Sequence, residues 1–144
     1  VLARVMRDQG KLPEALAEIN EVDRLTRSFQ PPLFSLNYLK GDILARLGRN
    51  AEARTAFAQE IHDFPDSAQA YTALAVLYAS EGKEADARRT LEECLTNART
   101  PGPFFAVAQA YQVLGDTGRA QNVRLEASRR FPGARQRPGG AEGG

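Results

Sequence analysis

The chain has 144 residues, 42% of them apolar, with one Cys, one His, no Trp and a formal charge of +1. That length accommodates one domain, or one array of three to four repeats. The near-neutral balance excludes a chain-wide polycation or acidic tail, the single Cys94 excludes an internal disulfide, and no apolar run approaches the roughly 18 residues of a membrane span.

Ala, Leu, Glu, Arg and Gln dominate and β-branched runs are missing, so the local preference is helical. The chain begins inside a helical pattern, with Leu2, Ala3 and Met6 ahead of Gly10. A second helix follows, with Pro13 in its first turn, where the absent N–H would have no partner in any case. Leu36, Leu39, Ile43 and Leu44 recur at helical spacing from Leu33 to Arg46, and Ala53, Ala56, Phe57 and Ile61 do so from Ala51 to His62. The next pair spans Ala68–Ala79 and Ala85–Asn97, and the last spans Phe104–Leu114 and Arg119–Phe131. Asn50, Asp66 and Ser67 precede helices as predicted N-caps. Residues 133–144 hold five Gly and one Pro without periodicity and are predicted to be a disordered tail.

The pairs are in register with one another. Gly48-Arg49-Asn50-Ala51-Glu52-Ala53-Arg54 is answered by Gly82-Lys83-Glu84-Ala85-Asp86-Ala87-Arg88, with each Gly and Ala in the same place. Gly115-Asp116-Thr117-Gly118-Arg119-Ala120 repeats the pattern downstream, and Gly10-Lys11-Leu12-Pro13-Glu14-Ala15 stands upstream of the others. Each Gly falls just past the first helix of its pair, where a left-handed C-cap disfavours a Cβ. From Gly48 to Gly82, and nearly so from Gly82 to Gly115, the interval is about 34 residues, a period that marks a solenoid whose units bury their apolar faces by stacking. The wider interval from Gly10 to Gly48 adds about four residues around Thr26–Pro32, close to one helical turn, so a longer second helix stopped by Pro31-Pro32 is expected.

These residues resemble the tetratricopeptide repeat family. The second copy carries Gly41, Leu44, Gly48, Ala53, Phe57 and Pro65 of its template, and departs from it at Asn37 and Glu60. The third carries Tyr71, Leu74, Ala75, Tyr78, Gly82, Ala87 and Leu91, with Cys94 in place of Ala. The fourth carries Phe104, Val107, Ala108, Tyr111, Gly115, Ala120, Ala127 and Pro132, and departs at Arg124. The first keeps Leu2, Ala3, Met6, Gly10, Ala15 and Ile19. The resemblance implies an all-α solenoid over residues 1–132, about three and a half helix-turn-helix repeats in a right-handed superhelix. The repeats are expected at about 1–29, 34–67, 68–101 and 102–132.

Parts for catalysis or metal binding are missing. His62 falls near a helix end without a nucleophile beside it, Cys94 takes a small core position, and no Cys/His cluster has zinc spacing. Gly115 and Gly118 follow a helix and not a strand, unlike a phosphate loop. No enzyme, cofactor or metal is expected. The resemblance instead implies a protein or peptide partner in a concave groove lined by the first helices of successive repeats. Carried over residue by residue, that groove shows Arg4, Arg7, Tyr38, Asp42 and Arg46 at one end. Gln69, Thr72 and Val76 follow, then Phe105, Gln109 and Gln112. Tyr38 and Phe105 have no core duty in the template and are expected to anchor the partner, with truncation leaving stability almost unchanged. Arg4, Arg7 and Arg46 would favour acidic residues in it. The Lys/Asn/Arg clamp by which some relatives hold chaperone tails is absent, its positions reading Arg4, Leu39, Asp42, Gln69 and Ala73.

Residues 119–144 carry six Arg against Glu126 and Glu142, so the alternative function is binding of nucleic acid or an anionic surface through the C-terminal helix. Nucleic acid is the weaker expectation. Leu2 and Val5 fall where a preceding repeat would stack. The chain is therefore expected to be the C-terminal scaffold of a larger, bacterial-type protein, in a cytoplasmic or periplasmic compartment that the residues do not distinguish.

Overall fold

Four units of similar sequence fold into four helical hairpins in the computed structural model, which describes residues 2–28 and 32–134. The helices are α1 (Leu2–Asp8), α2 (Leu12–Thr26), α3 (Leu36–Arg46), α4 (Asn50–Asp63), α5 (Ala68–Ser80), α6 (Glu84–Asn97), α7 (Pro101–Val113) and α8 (Thr117–Arg130). No strand occurs among the described residues. The turn inside each hairpin is made locally. At Gly48, φ is 78° and its N–H donates to the Ala45 carbonyl at 3.0 Å, while the Arg49 N–H reaches back to Leu44 at 2.9 Å. This left-handed motif satisfies carbonyls that the end of α3 leaves open, and it recurs at Gly82.

Each hairpin packs on the next. The pairs α1–α2, α3–α4, α5–α6 and α7–α8 touch along their lengths, and α2, α4 and α6 lean on the first helix of the following pair. The first helices also meet directly, α3 with α5 and α5 with α7, so they form one layer of an α-solenoid. One core cluster runs from Ala3 to Leu77 around Ile43, Leu44 and Phe57; the other runs from Tyr71 to Ala127 around Leu91, Phe104 and Val107. Ile61 and Tyr78 pack against both, which makes the two clusters continuous. Arg54 adds a polar tie across the same seam, its Nη1 lying 2.6 Å from both carboxylate oxygens of Glu81.

Four local expectations change. The four residues added upstream do not lengthen α2, which has 15 residues against 14 in α4. The helix ends at Thr26, and the added length falls in the connection to α3, whose residues 29–31, Pro31 included, lie outside the described part. What stops α3 from starting at Leu33 is a tertiary contact. Ser35 is held in the left-handed region at φ 68°, and its N–H donates to the buried Glu60 carboxylate at 2.9 Å. The second change is at α4, where Arg49 is the N-cap and Asn50 is already helical, because the chain enters that helix directly from the Gly48 turn. Asp66 caps nothing, and Ser67 precedes α5 without a side-chain cap bond. The last change is that α7 starts at Pro101 rather than Phe104, since a first-turn proline lacks only an N–H that the helix does not use. The expected disordered tail falls on residues of which 135–144 lie outside the described part.

At α8 the N-cap is Asp116, which accepts from the Arg119 N–H at 3.0 Å and from Arg119 Nη1 at 2.6 Å. The Arg119 guanidinium, and then its backbone N–H, hold the Asp116 carboxyl below its ordinary range. A carboxyl with a depressed pKa in the folded state stabilises fully above its unfolded value and loses that contribution as pH falls through the lowered one. In an acid titration followed by NMR, the Arg119 amide resonance should therefore move with a midpoint below about 3.9, the unperturbed aspartate value. A midpoint at or above that value would show that this cap does not form.

Candidate interaction groove

Because α3, α5 and α7 share one layer, residues on their outward stripe converge on a single groove with a volume of about 550 Å³. Seven of the predicted residues line it: Tyr38, Asp42 and Arg46 from α3, Gln69, Thr72 and Val76 from α5, and Gln109 from α7. Its floor is made of small side chains, with Ala45, Ala73, Ala106 and Ala110 letting an occupant approach the helix backbones. Val76 and Val113 stand up from that floor, 39% and 68% exposed. Exposed aliphatic side chains inside a concavity are what a partner covers most favourably, since burial removes their surface from water.

The remaining predicted residues sit elsewhere. Arg7 reaches the groove through an ion pair, its Nη1 lying 2.8 Å from Asp42 Oδ2, and Arg4 is exposed on the preceding turn of α1. Gln112 is exposed on α7 outside the lining. Phe105 is partly buried and packs against the C-terminal core, so its ring serves the fold. Tyr38 has a double duty. Its ring packs at 6.1 Å from that of Phe57 and belongs to the edge of the N-terminal core, while it also lines the groove. Truncating either aromatic therefore removes core contacts, contrary to the expectation of unchanged stability. Val113, one residue beyond Gln112, stands on the groove-lining stripe that the resemblance implies, and the sequence reading passed over it there.

Burial shapes the chemistry nearby. It raises the Tyr38 phenol above its ordinary value, as does the Asp42 carboxylate, and the cations of Arg7, Arg46 and Arg4 oppose them. Burial likewise pushes the Cys94 thiol up to about 11, so it stays protonated at neutral pH. His62 is exposed with Nδ1 3.2 Å from Asp63 Oδ1. Among the described residues, no group of three or more His, Cys, Asp or Glu is placed to hold a metal, and no helix is long and apolar enough to cross a membrane. A second cavity of about 670 Å³ lies beyond Val76, where Glu84, Arg88 and Tyr111 face the start of α8. An anion arriving there would meet the Asp116 carboxylate already capping that helix.

Comparisons with known proteins agree with this architecture. Two family models described as tetratricopeptide repeat match residues 1–21 and 38–102, together more than half of the chain. The chain belongs to the tetratricopeptide repeat family. No curated protein sequence matches it. Among solved structures, a crystal structure of MamA is similar with a TM-score of 0.63 at 18% identity, covering 90% of this chain and 74% of that one. A MamA fragment, residue 41 to the end, from Desulfovibrio magneticus RS-1 gives 0.60 at 15% identity, covering 92% and 74%. At such identities the likeness is one of fold. Folds of this family serve in general as non-catalytic scaffolds for protein interaction.

Proposed function

We propose that this chain binds a segment of a partner protein lengthwise across α3, α5 and α7, in the groove between Tyr38 and Val113, and performs no chemistry on it. The observation that carries this reading is the convergence of side chains from three separate repeats on one concavity floored by alanines and studded with two exposed valines. With neighbouring helices about 8–10 Å apart, the groove spans roughly 20 Å, the length of some six extended residues. Gln69 and Gln109, each able to donate and accept, offer partners to the main chain of such a segment.

The alternative, an anionic surface held by the C-terminal arginines, has less support. Arg119 is bonded to Asp116, Arg129 is paired with Glu126, and Arg130 lies over the rings of Phe104 and Phe131 at 5.2 and 5.8 Å. Most of the positive charge described on α8 is thus already engaged within the fold.

The test is to select a peptide against the wild-type chain by phage display and titrate it against Val76→Glu and Val113→Glu. Both side chains are exposed, so the substitutions should leave the melting temperature within a few degrees. Affinity should fall about tenfold or more for each, as expected for loss of a buried anchor. Selected peptides that bind both variants as well as wild type would place the interaction on another face. Steeply salt-dependent binding to random DNA or RNA, together with no selectable peptide, would favour the alternative.

A further inference from the structure

The groove is not electrostatically even, and its α1–α3 end carries three guanidinium groups around one phenol. Asp42 organises them. Its Oδ2 accepts from Arg7 Nη1 at 2.8 Å and lies 3.2 Å from Arg46 Nε. Arg7 is also bonded to Asp8 and is only 15% exposed, so its donors are largely used. Arg46 differs. Apart from the ion pair of its Nε with Asp42, its guanidinium has no hydrogen-bond partner among the described residues, and its side chain is half exposed at the groove wall. Arg4, exposed one helical turn before Arg7, has no ion pair among the described residues either. The Tyr38 hydroxyl makes no hydrogen bond among the described residues, and Arg4, Arg7 and Arg46 all lie near enough to influence it. Asp8, 57% exposed, pairs with Arg7 alone, so the two carboxylates of Asp8 and Asp42 stand against three guanidinium groups and leave this end of the groove net positive.

From this arrangement we infer that the α1–α3 end of the groove is a receptor for an acidic side chain, Asp or Glu, of the bound segment. The inference rests on the groove reading above and specifies which end of the groove reads charge. A carboxylate fits the terminal edge of Arg46 in a bidentate pair, whose two parallel hydrogen bonds give direction as well as attraction. The ion pair with Asp42 holds the Arg46 guanidinium at the groove wall, which limits the side-chain freedom it loses on binding. The Tyr38 hydroxyl supplies a neutral donor from the floor, and Arg4 adds charge from the rim. Beyond Tyr38 the lining turns to Ala73, Val76, Ala110 and Val113, so the segment should be acidic at one end and aliphatic along the rest. Opposite charge at the groove mouth also speeds encounter at low salt.

The experiment uses an array of acetylated, amidated decapeptides that place Glu-Glu at either end of a Val, Leu and Ala stretch, each beside its Gln-Gln counterpart. The best binders are then titrated by fluorescence anisotropy against the full chain. The Glu peptide should bind about tenfold more tightly than its Gln twin near 50 mM salt, and the ratio should shrink toward unity as salt is raised. In Arg46→Gln and Arg4→Gln the Glu-over-Gln ratio should fall, most in the Arg46 variant. Equal binding of Glu and Gln peptides, or an Arg46→Gln variant that keeps the full ratio, would overturn the receptor while leaving the groove reading in place. Binding of neither peptide above the level seen with Val113→Glu would overturn both.

Discussion

Replacing Glu60 by Ala should lower the melting temperature by about 6–12 °C, the shift that corresponds to roughly 3 kcal/mol in a chain of this size. Glu60 is fully buried on α4, where the repeat template has alanine, and its two oxygens accept the N–H of Ser35 at 2.9 Å and of Tyr38 at 3.3 Å. Those donors belong to the start of α3, whose first N–H groups have no intrahelical acceptor. The carboxylate therefore caps a helix from another element, next to the positive end of its dipole. Alanine would leave two N–H groups without partners inside the protein and a hole where the side chain stood, and both effects destabilise. Glu60→Gln separates them. It fills the same space but turns one acceptor into a donor facing an N–H, so it should fall between wild type and Ala. Because Tyr38 sits in the same turn, amide exchange at Tyr38 and Leu39 should accelerate in both variants more than exchange in α7. An unchanged melting temperature for Glu60→Ala would mean that the start of α3 is held by something other than this carboxylate.

Gly41→Ala should destabilise by about 2 kcal/mol, although alanine is the better helix former by about 1 kcal/mol. A Cβ on Gly41 would come within 2.6 Å of Phe57 Cε1 and 2.7 Å of Cδ1. Phe57 is 2% exposed and packed in the N-terminal core, so its ring cannot swing away as an exposed side chain would. The hairpin α3–α4 must open by several tenths of an ångström, and the strain spreads to Tyr38, whose ring lies against Phe57. Phe57→Leu alone should also destabilise. Combining it with Gly41→Ala should cost less than the sum of the two, since the smaller side chain vacates the space the new methyl needs. Equilibrium denaturation of the four proteins measures this coupling, and strict additivity would show that the close approach is not what requires glycine.

Much of this fold is legible in the residues because its rules are local. The spacing of apolar residues sets each helix, and the glycine after the first helix of each pair takes a left-handed turn that any other residue takes with strain. Regular repetition of that unit, marked by Gly48, Gly82 and Gly115, then dictates stacking, since one hairpin has no other way to bury its apolar face. Along the groove, Tyr38, Asp42, Arg46, Gln69, Thr72, Val76 and Gln109 are what the resemblance to the tetratricopeptide repeat implies, and they line it together.

Tertiary structure alone decided the rest, and in each case the deciding contact joins residues far apart in the chain. Ser35 and Glu60 are 25 positions apart, and their hydrogen bond helps set where α3 begins. The Arg7–Asp42 pair spans 35 positions, and it turns two groove arginines into an organised bay. Phe105 and Val113 lie on the same helix, and no helical period says which faces the partner. Packing against the C-terminal core takes the larger ring inward and leaves the valine in the groove, because burying the larger apolar surface is the more favourable of the two.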